Sequence, residues 1–143
     1  MSYEFLEGVA MADIAFRAMG RSLEEVFVSA ADATMEVMID NLDSIDFKER
    51  RELRLANSAL DMLLFDLLQE LIYLKDSEQL LLRVRPIQIT REGNNWKLAG
   101  EAHGEKLDPV RHRQRADVKA VTLHHFALEK TDNGWSASVI LDI

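Results

Sequence analysis

The 143-residue chain carries a formal net charge of −8, is 48% hydrophobic and contains no cysteine. That length and apolar share fit one folded domain spanning residues 1–143 and exclude disorder; the missing thiols exclude disulfides, thiolate metal sites and cysteine nucleophiles, and suit a reducing cytoplasm. The acidic balance makes independent nucleic-acid binding weak, because phosphate attraction is its main non-specific term.

Tyr3 to Leu6 reads as a short strand. Ile14, Phe16 and Ala18 alternate with Ala15, Arg17 and Met19, the pattern of a strand with one buried face. Gly20-Arg21 ends it, and Ser22 with Glu25 has the spacing of a capping box. Leu23, Val26, Phe27, Ala30, Thr34, Val37 and Met38 then recur at helical spacing, predicting a helix from about Leu23 to Met38. Leu53 and Leu55 suggest another strand. Ser58 is placed to cap a second helix, with Asp61 in its first turn and a broad leucine stripe from Leu60 to Ile72.

From Leu80 the pattern is β-like to the end. It slips phase at Pro86, which predicts a bulge or an edge strand. Glu92-Gly93-Asn94-Asn95 and Thr131-Asp132-Asn133-Gly134 read as hairpin turns. The polar, basic stretch from Gly104 to Arg115 reads as a mobile loop. The order strand-strand-helix-strand-helix, then four strands, predicts an α+β two-layer domain: a mainly antiparallel or mixed β-sheet with two α-helices packed on one face. No apolar run is long enough for a membrane helix, and Met1-Ser2-Tyr3-Glu4 lacks the features of a secretory signal.

Two aspartates stand out. Asp13 opens the second strand; Asp142 lies on the last one, on the face opposite Trp135, Ala137, Val139 and Leu141. They are either unrelated strand-end carboxylates in water or, with a nearby terminal carboxylate, oxygen ligands suited to Ca²⁺ or Mg²⁺. Spacing alone cannot join them; only sheet pairing could. His124 and His125, as strand neighbours, should face opposite sides, and no H-E-x-x-H spacing exists, which speaks against zinc. Asp40, Asp43 and Asp46 fail as an EF-hand loop, because its required glycine and glutamate positions hold Ile45 and Arg51. Lys106, Arg111, His112, Arg113 and Arg115 form a basic cluster without interleaved aromatics. It is either a solvated loop or a surface for RNA or an acidic partner.

Several stretches together resemble the archease family. They are Tyr3-Glu4-Phe5-Leu6-Glu7 with Ala12-Asp13-Ile14, Gly20-Arg21-Ser22-Leu23-Glu24-Glu25-Val26-Phe27, Glu70-Leu71-Ile72-Tyr73-Leu74, Asp117-Val118-Lys119-Ala120-Val121-Thr122 and the ending Val139-Ile140-Leu141-Asp142-Ile143. The resemblance implies a cytoplasmic, non-enzymatic accessory protein for an RtcB-type tRNA-splicing RNA ligase, which joins a 3′-phosphate or cyclic phosphate end to a 5′-hydroxyl end using GTP and a divalent metal. The accessory protein promotes guanylylation and turnover of that ligase. Carried over residue by residue, the resemblance implies a cation, Ca²⁺ with Mg²⁺ as the alternative, held by Asp13, Asp142 and the carboxylate of Ile143. It also implies partner contact through Lys119. The chain departs from the family's Glu-His-Thr-Ala-Asp: Gly8-Val9-Ala10-Met11-Ala12 separates Glu7 from Asp13, with two extra residues and neither His nor Thr. Two other readings therefore stay open. One is an interaction module of the same fold with another partner and a weakened or lost metal site. The other is a small hydrolase or phosphotransferase using Asp13 and Asp142.

Overall fold

The computed structural model describes residues 1–7 and 12–143; most of the stretch that departs from the family pattern, residues 8–11, lies outside the described residues. Strands β1 (Ser2–Leu6) and β2 (Asp13–Gly20) precede helix α1 (Leu23–Met38). Strand β3 (Glu49–Asn57) leads into helix α2 (Leu60–Glu78), and β4 (Leu80–Glu92), β5 (Asn95–Lys106), β6 (Ala120–Thr131) and β7 (Gly134–Asp142) follow. The element order is the one the periodicity predicts. The α+β class and the antiparallel pairing hold, and the strands are shared between two sheets, β1-β2-β7-β6 and β3-β5-β4. The division arises because β7 folds back beside β2, while β3 inserts against β5.

Each helix touches both sheets. Helix α1 packs on β1, β2 and β7 and also on β4; α2 packs on β6 and on β3, β4 and β5. A helix held between two sheets cannot keep a wide polar face, and α1 is buried without a break from Val26 through Met35. The core centres on Phe16, Phe27, Leu67, Leu71, Val139 and Leu141, all at most 1% exposed.

The local signals fare unevenly. Ser22 caps α1, its hydroxyl accepting the Glu25 N–H at 3.1 Å, but Glu25 pairs with the Met1 amine at 3.4 Å instead of reaching back. Ser58 does not cap α2. The N-cap residue is Ala59, with no side-chain cap; ahead of the helix Asn57 Oδ1 accepts the Ala59 N–H at 3.0 Å, and the Asn57 amide donates to Asp66 at 2.9 Å. Both hairpins form with two-residue loops, Glu92 pairing with Asn95 and Thr131 with Gly134. The register of β4 shifts between Val84 and Ile87, on a strand that is also an edge.

One buried charge ties a helix to the second sheet. Asp32, on α1 and 5% exposed, accepts from Arg83 through both carboxylate oxygens, at 3.2 and 3.0 Å, and from Arg85 at 2.8 Å. Arg83 and Arg85 alternate with the core residues Leu82 and Val84 on β4, so both guanidiniums reach α1 from one strand face.

The stretch expected to be a mobile loop is instead a clasp. Strand β5 continues through Lys106. Beyond it, Leu107 N–H donates to Gln79, Asp40 N–H to Arg113, and the N–H groups of Arg115 and Ala116 to Met38 and Val37. His112 is fully buried. Its Nδ1 accepts the Asp108 N–H at 2.8 Å, so Nε2 carries the proton it shares with Glu105 at 2.9 Å. Glu105, 3% exposed, also accepts from Arg111 and from the Asp46 N–H at 2.6 Å. The basic cluster is thus partly neutralised from within.

Burial pushes the Glu105 carboxyl up, but Arg111, the Asp46 N–H and His112 outweigh it and hold it at about 2, below the ordinary 4.5. A depressed value means that Glu105 stabilises the fold above about pH 4.5 and loses that contribution as pH falls towards 2. Glu105→Gln is expected to cost roughly 1–3 kcal/mol at neutral pH, the range for stranding hydrogen-bonded partners. The gap between parent and variant in urea unfolding should then close across that acid window. A gap that stays constant with pH would contradict the assignment.

Candidate metal centre

Sheet order brings the two aspartates together. Strand β7 lies between β2 and β6, and Asp13 is the direct cross-strand partner of Asp142. The Ile143 N–H donates to the Ala12 carbonyl at 3.0 Å, which makes residues 12 and 143 a hydrogen-bonded pair. The next pair, Asp13 with Asp142, is then of the non-hydrogen-bonded kind, in which side chains stand closest. Their shared face is the outer one: Phe16, Ala18, Val139 and Leu141 take the alternate positions and are buried in the core.

Like charges directly opposed across a sheet destabilise it. Among the described residues neither carboxylate is hydrogen-bonded or ion-paired by a protein group, and both are half-buried. Their oxygens are therefore free to accept, and a cation placed between them would turn repulsion into attraction. All the donors here are oxygen, which suits Ca²⁺ or Mg²⁺ and not a soft metal. Among the described residues no three His, Asp or Glu side chains gather as a metal cluster. Further ligands would come from the main chain and from water.

Lys119 belongs to the same corner. Its N–H donates to the Asp142 carbonyl at 2.8 Å, and Ala120 is Asp142's partner on β6. The side chain of Lys119 is exposed. Two α2 residues that the sequence reading passed over hold this segment. Lys75 Nζ donates to the Val118 carbonyl at 3.0 Å and to Asp117 at 2.6 Å, and Gln69 Oε1 accepts the Val121 N–H at 2.9 Å. Burial lowers the Lys75 ammonium, but the Asp117 and Asp76 carboxylates outweigh it and raise the group above its ordinary value. Nothing in the stripe of α2 marks these polar residues as more than its solvent edge.

The other candidates do not join this corner. Asp43 and Asp46 are drawn to Arg83 and Arg111, around a single 3₁₀ turn at Leu42–Ser44. His103 stacks on Phe47 at 5.5 Å. A groove of about 440 Å³ lies at the opposite end of the same sheet, between Arg17, Met19, Arg21 and Trp135; a cation seated on strand-end carboxylates needs no such cavity.

The corner so assembled draws on residues near both ends of the chain, and the family comparison spans the sequence between them. A model described as the Archease protein family matches residues 3–143. The chain belongs to the archease family. It is 38% identical to the protein archease of Pyrococcus abyssi over 133 residues, which cover 92% of this chain and 93% of that one. The archease fold is matched in solved structures as well. The solution structure of a Methanobacterium thermoautotrophicum protein superposes with a TM-score of 0.85 at 35% identity, covering 99% of this chain and 98% of that one. A crystal structure from Thermotoga maritima, described as an archease and possible chaperone, superposes with a TM-score of 0.60 at 23% identity, covering 98% of each chain, and shows the shared fold. Among the described residues, no helix of this archease is long and apolar enough to cross a membrane.

Proposed function

We propose that this archease is a cytoplasmic accessory protein that binds a divalent cation, Ca²⁺ or Mg²⁺, through Asp13, Asp142 and the Ile143 carboxylate. It acts on an RtcB-type RNA ligase, promoting guanylylation and repeated turnover, and turns over no substrate itself. The observation that carries the reading is the direct cross-strand pairing of Asp13 with Asp142, with Lys119 hydrogen-bonded to the same residue. Family membership supports it over nearly the whole chain. A bound cation supplies positive charge where phosphate oxygens develop negative charge. Asp13 and Asp142 would hold it, and Lys119 offers a second positive group from the adjoining strand end.

The chain's acidity favours a protein partner over RNA alone. A second reading, an interaction module with another partner and a weakened metal site, is favoured by Gly8-Val9-Ala10-Met11-Ala12, where the family pattern is lost. Affinity capture from the native cytosol separates the two. With the tag at the N-terminus, so that the Ile143 carboxylate stays beside Asp142, an RNA ligase should co-purify, and Lys119→Ala should reduce its recovery. Capture of a different protein, with no ligase, would support the second reading.

A further inference from the structure

A second cluster lies on the same sheet and has no part in the function proposed above. His124 and His125 are both exposed, on β6, the edge strand beside β7. Neighbours on a regular strand point to opposite faces, and on that ground the pair should be apart. It is not: the two imidazole rings stand with centroids 4.0 Å apart, tilted by 48°. Two backbone features bring this about. The β6–β7 register slips between Thr122 and Ala127, which frees residues 123–126 from the ladder. His125 itself takes a φ of 53°, in the left-handed region that few side chains adopt. That conformation costs free energy; the next residue, Phe126, packs edge-to-face on Phe65 of α2 at 5.6 Å, while neither imidazole is buried. Among the described residues neither ring makes a hydrogen bond. Besides seating Phe126, the irregular stretch pairs two imidazoles at a sheet edge.

We propose that His124 and His125 form a binding site for a borderline transition-metal cation, Zn²⁺, Ni²⁺ or Cu²⁺, distinct from the oxygen-donor centre at Asp13 and Asp142. Imidazole nitrogen suits these metals, whereas carboxylates suit Ca²⁺ and Mg²⁺. Rings already in contact need only rotate about their side-chain bonds to aim one nitrogen each at an ion roughly 2.0–2.1 Å away. Among the described residues no third His, Asp or Glu joins them, so the remaining coordination positions face solvent and are open to water or to an incoming ligand. The two centres are also separate along the strand. Asp142 pairs with Ala120, and the histidines lie beyond Thr122, past the point where the ladder breaks.

The test is titration of Zn²⁺ and Ni²⁺ into the full chain without a histidine tag, followed by calorimetry and by the imidazole NMR signals. The expected result is one ion per chain, with the His124 and His125 signals moving together and uptake unchanged by excess Ca²⁺. His124→Ala and His125→Asn should each weaken binding at least about tenfold, since even outer-shell partners are worth that much. Asn is chosen because it tolerates the left-handed backbone and preserves the turn. Melting curves establish that the variants remain folded. Parental affinity in the double variant would overturn the proposal. So would loss of binding in His103→Ala or Asp142→Asn instead, or no uptake by the parent.

Discussion

Asp142→Asn is expected to abolish the stabilisation that Ca²⁺ or Mg²⁺ confers on the parent, while leaving the metal-free protein as stable as before or slightly more so. The two halves of this expectation have one cause. Asp13 and Asp142 face each other across β2 and β7, and directly opposed like charges cost roughly 0.2–1 kcal/mol. Removing one charge relieves that cost and removes a ligand. A cation bound only by the folded state stabilises it by about 2.7 kcal/mol at a hundredfold excess over Kd. For a chain of this length each kcal/mol moves the melting temperature by roughly 3–5 °C, so the parent should gain on the order of 10 °C. Thermal melts with and without cation, at fixed ionic strength, check both halves. Asp13→Asn should behave in the same way. Variants that rise with the cation like the parent would remove these residues from the site.

Asp32→Ala is expected to destabilise the protein by about 3–5 kcal/mol, the cost of removing one member of a buried ion pair. Asp32 is 5% exposed and receives three hydrogen bonds from two arginines. The Arg83 side chain is 16% exposed and would keep only the exposed Asp43, at 3.6 Å, as a partner, whereas Arg85, at 39%, can rehydrate. The figure should therefore fall near the lower end. Urea unfolding gives the loss directly, with an unchanged slope if the folded state is otherwise preserved. A loss below about 1 kcal/mol, the range of exposed pairs, would mean that Asp32 does not anchor α1 to β4.

Periodicity was enough for the elements and for which face of β7 Asp142 occupies, because the strand alternates cleanly from Trp135 to Leu141. It could not place Asp13 beside Asp142. That contact depends on β7 crossing back to β2, a pairing between residues 129 positions apart for which no local pattern codes. The same alternation argument misplaced His124 and His125, since it assumes a regular strand and β6 breaks its ladder after Thr122. The stretch from Gly104 to Arg115 looked loose because its polarity was read as solvation. In the fold Glu105 supplies a buried acceptor to Arg111 and His112, and residues 113–116 pair with the end of α1 and the residues just beyond it. Asp32 was invisible for a related reason: a charge inside a helix stripe has meaning only once Arg83 and Arg85 reach it from β4.

The measurement that bears most directly on the proposed role is formation of guanylylated ligase. The RNA ligase of the same organism, with GTP and Mn²⁺, is followed with and without substoichiometric amounts of this protein. The proposal predicts faster guanylylation and repeated turnovers of RNA joining, with no ligation or cleavage by this chain alone. Lys119→Ala and Asp142→Asn should lose the stimulation while remaining folded. A ligase that runs at the same rate with and without the protein would contradict it.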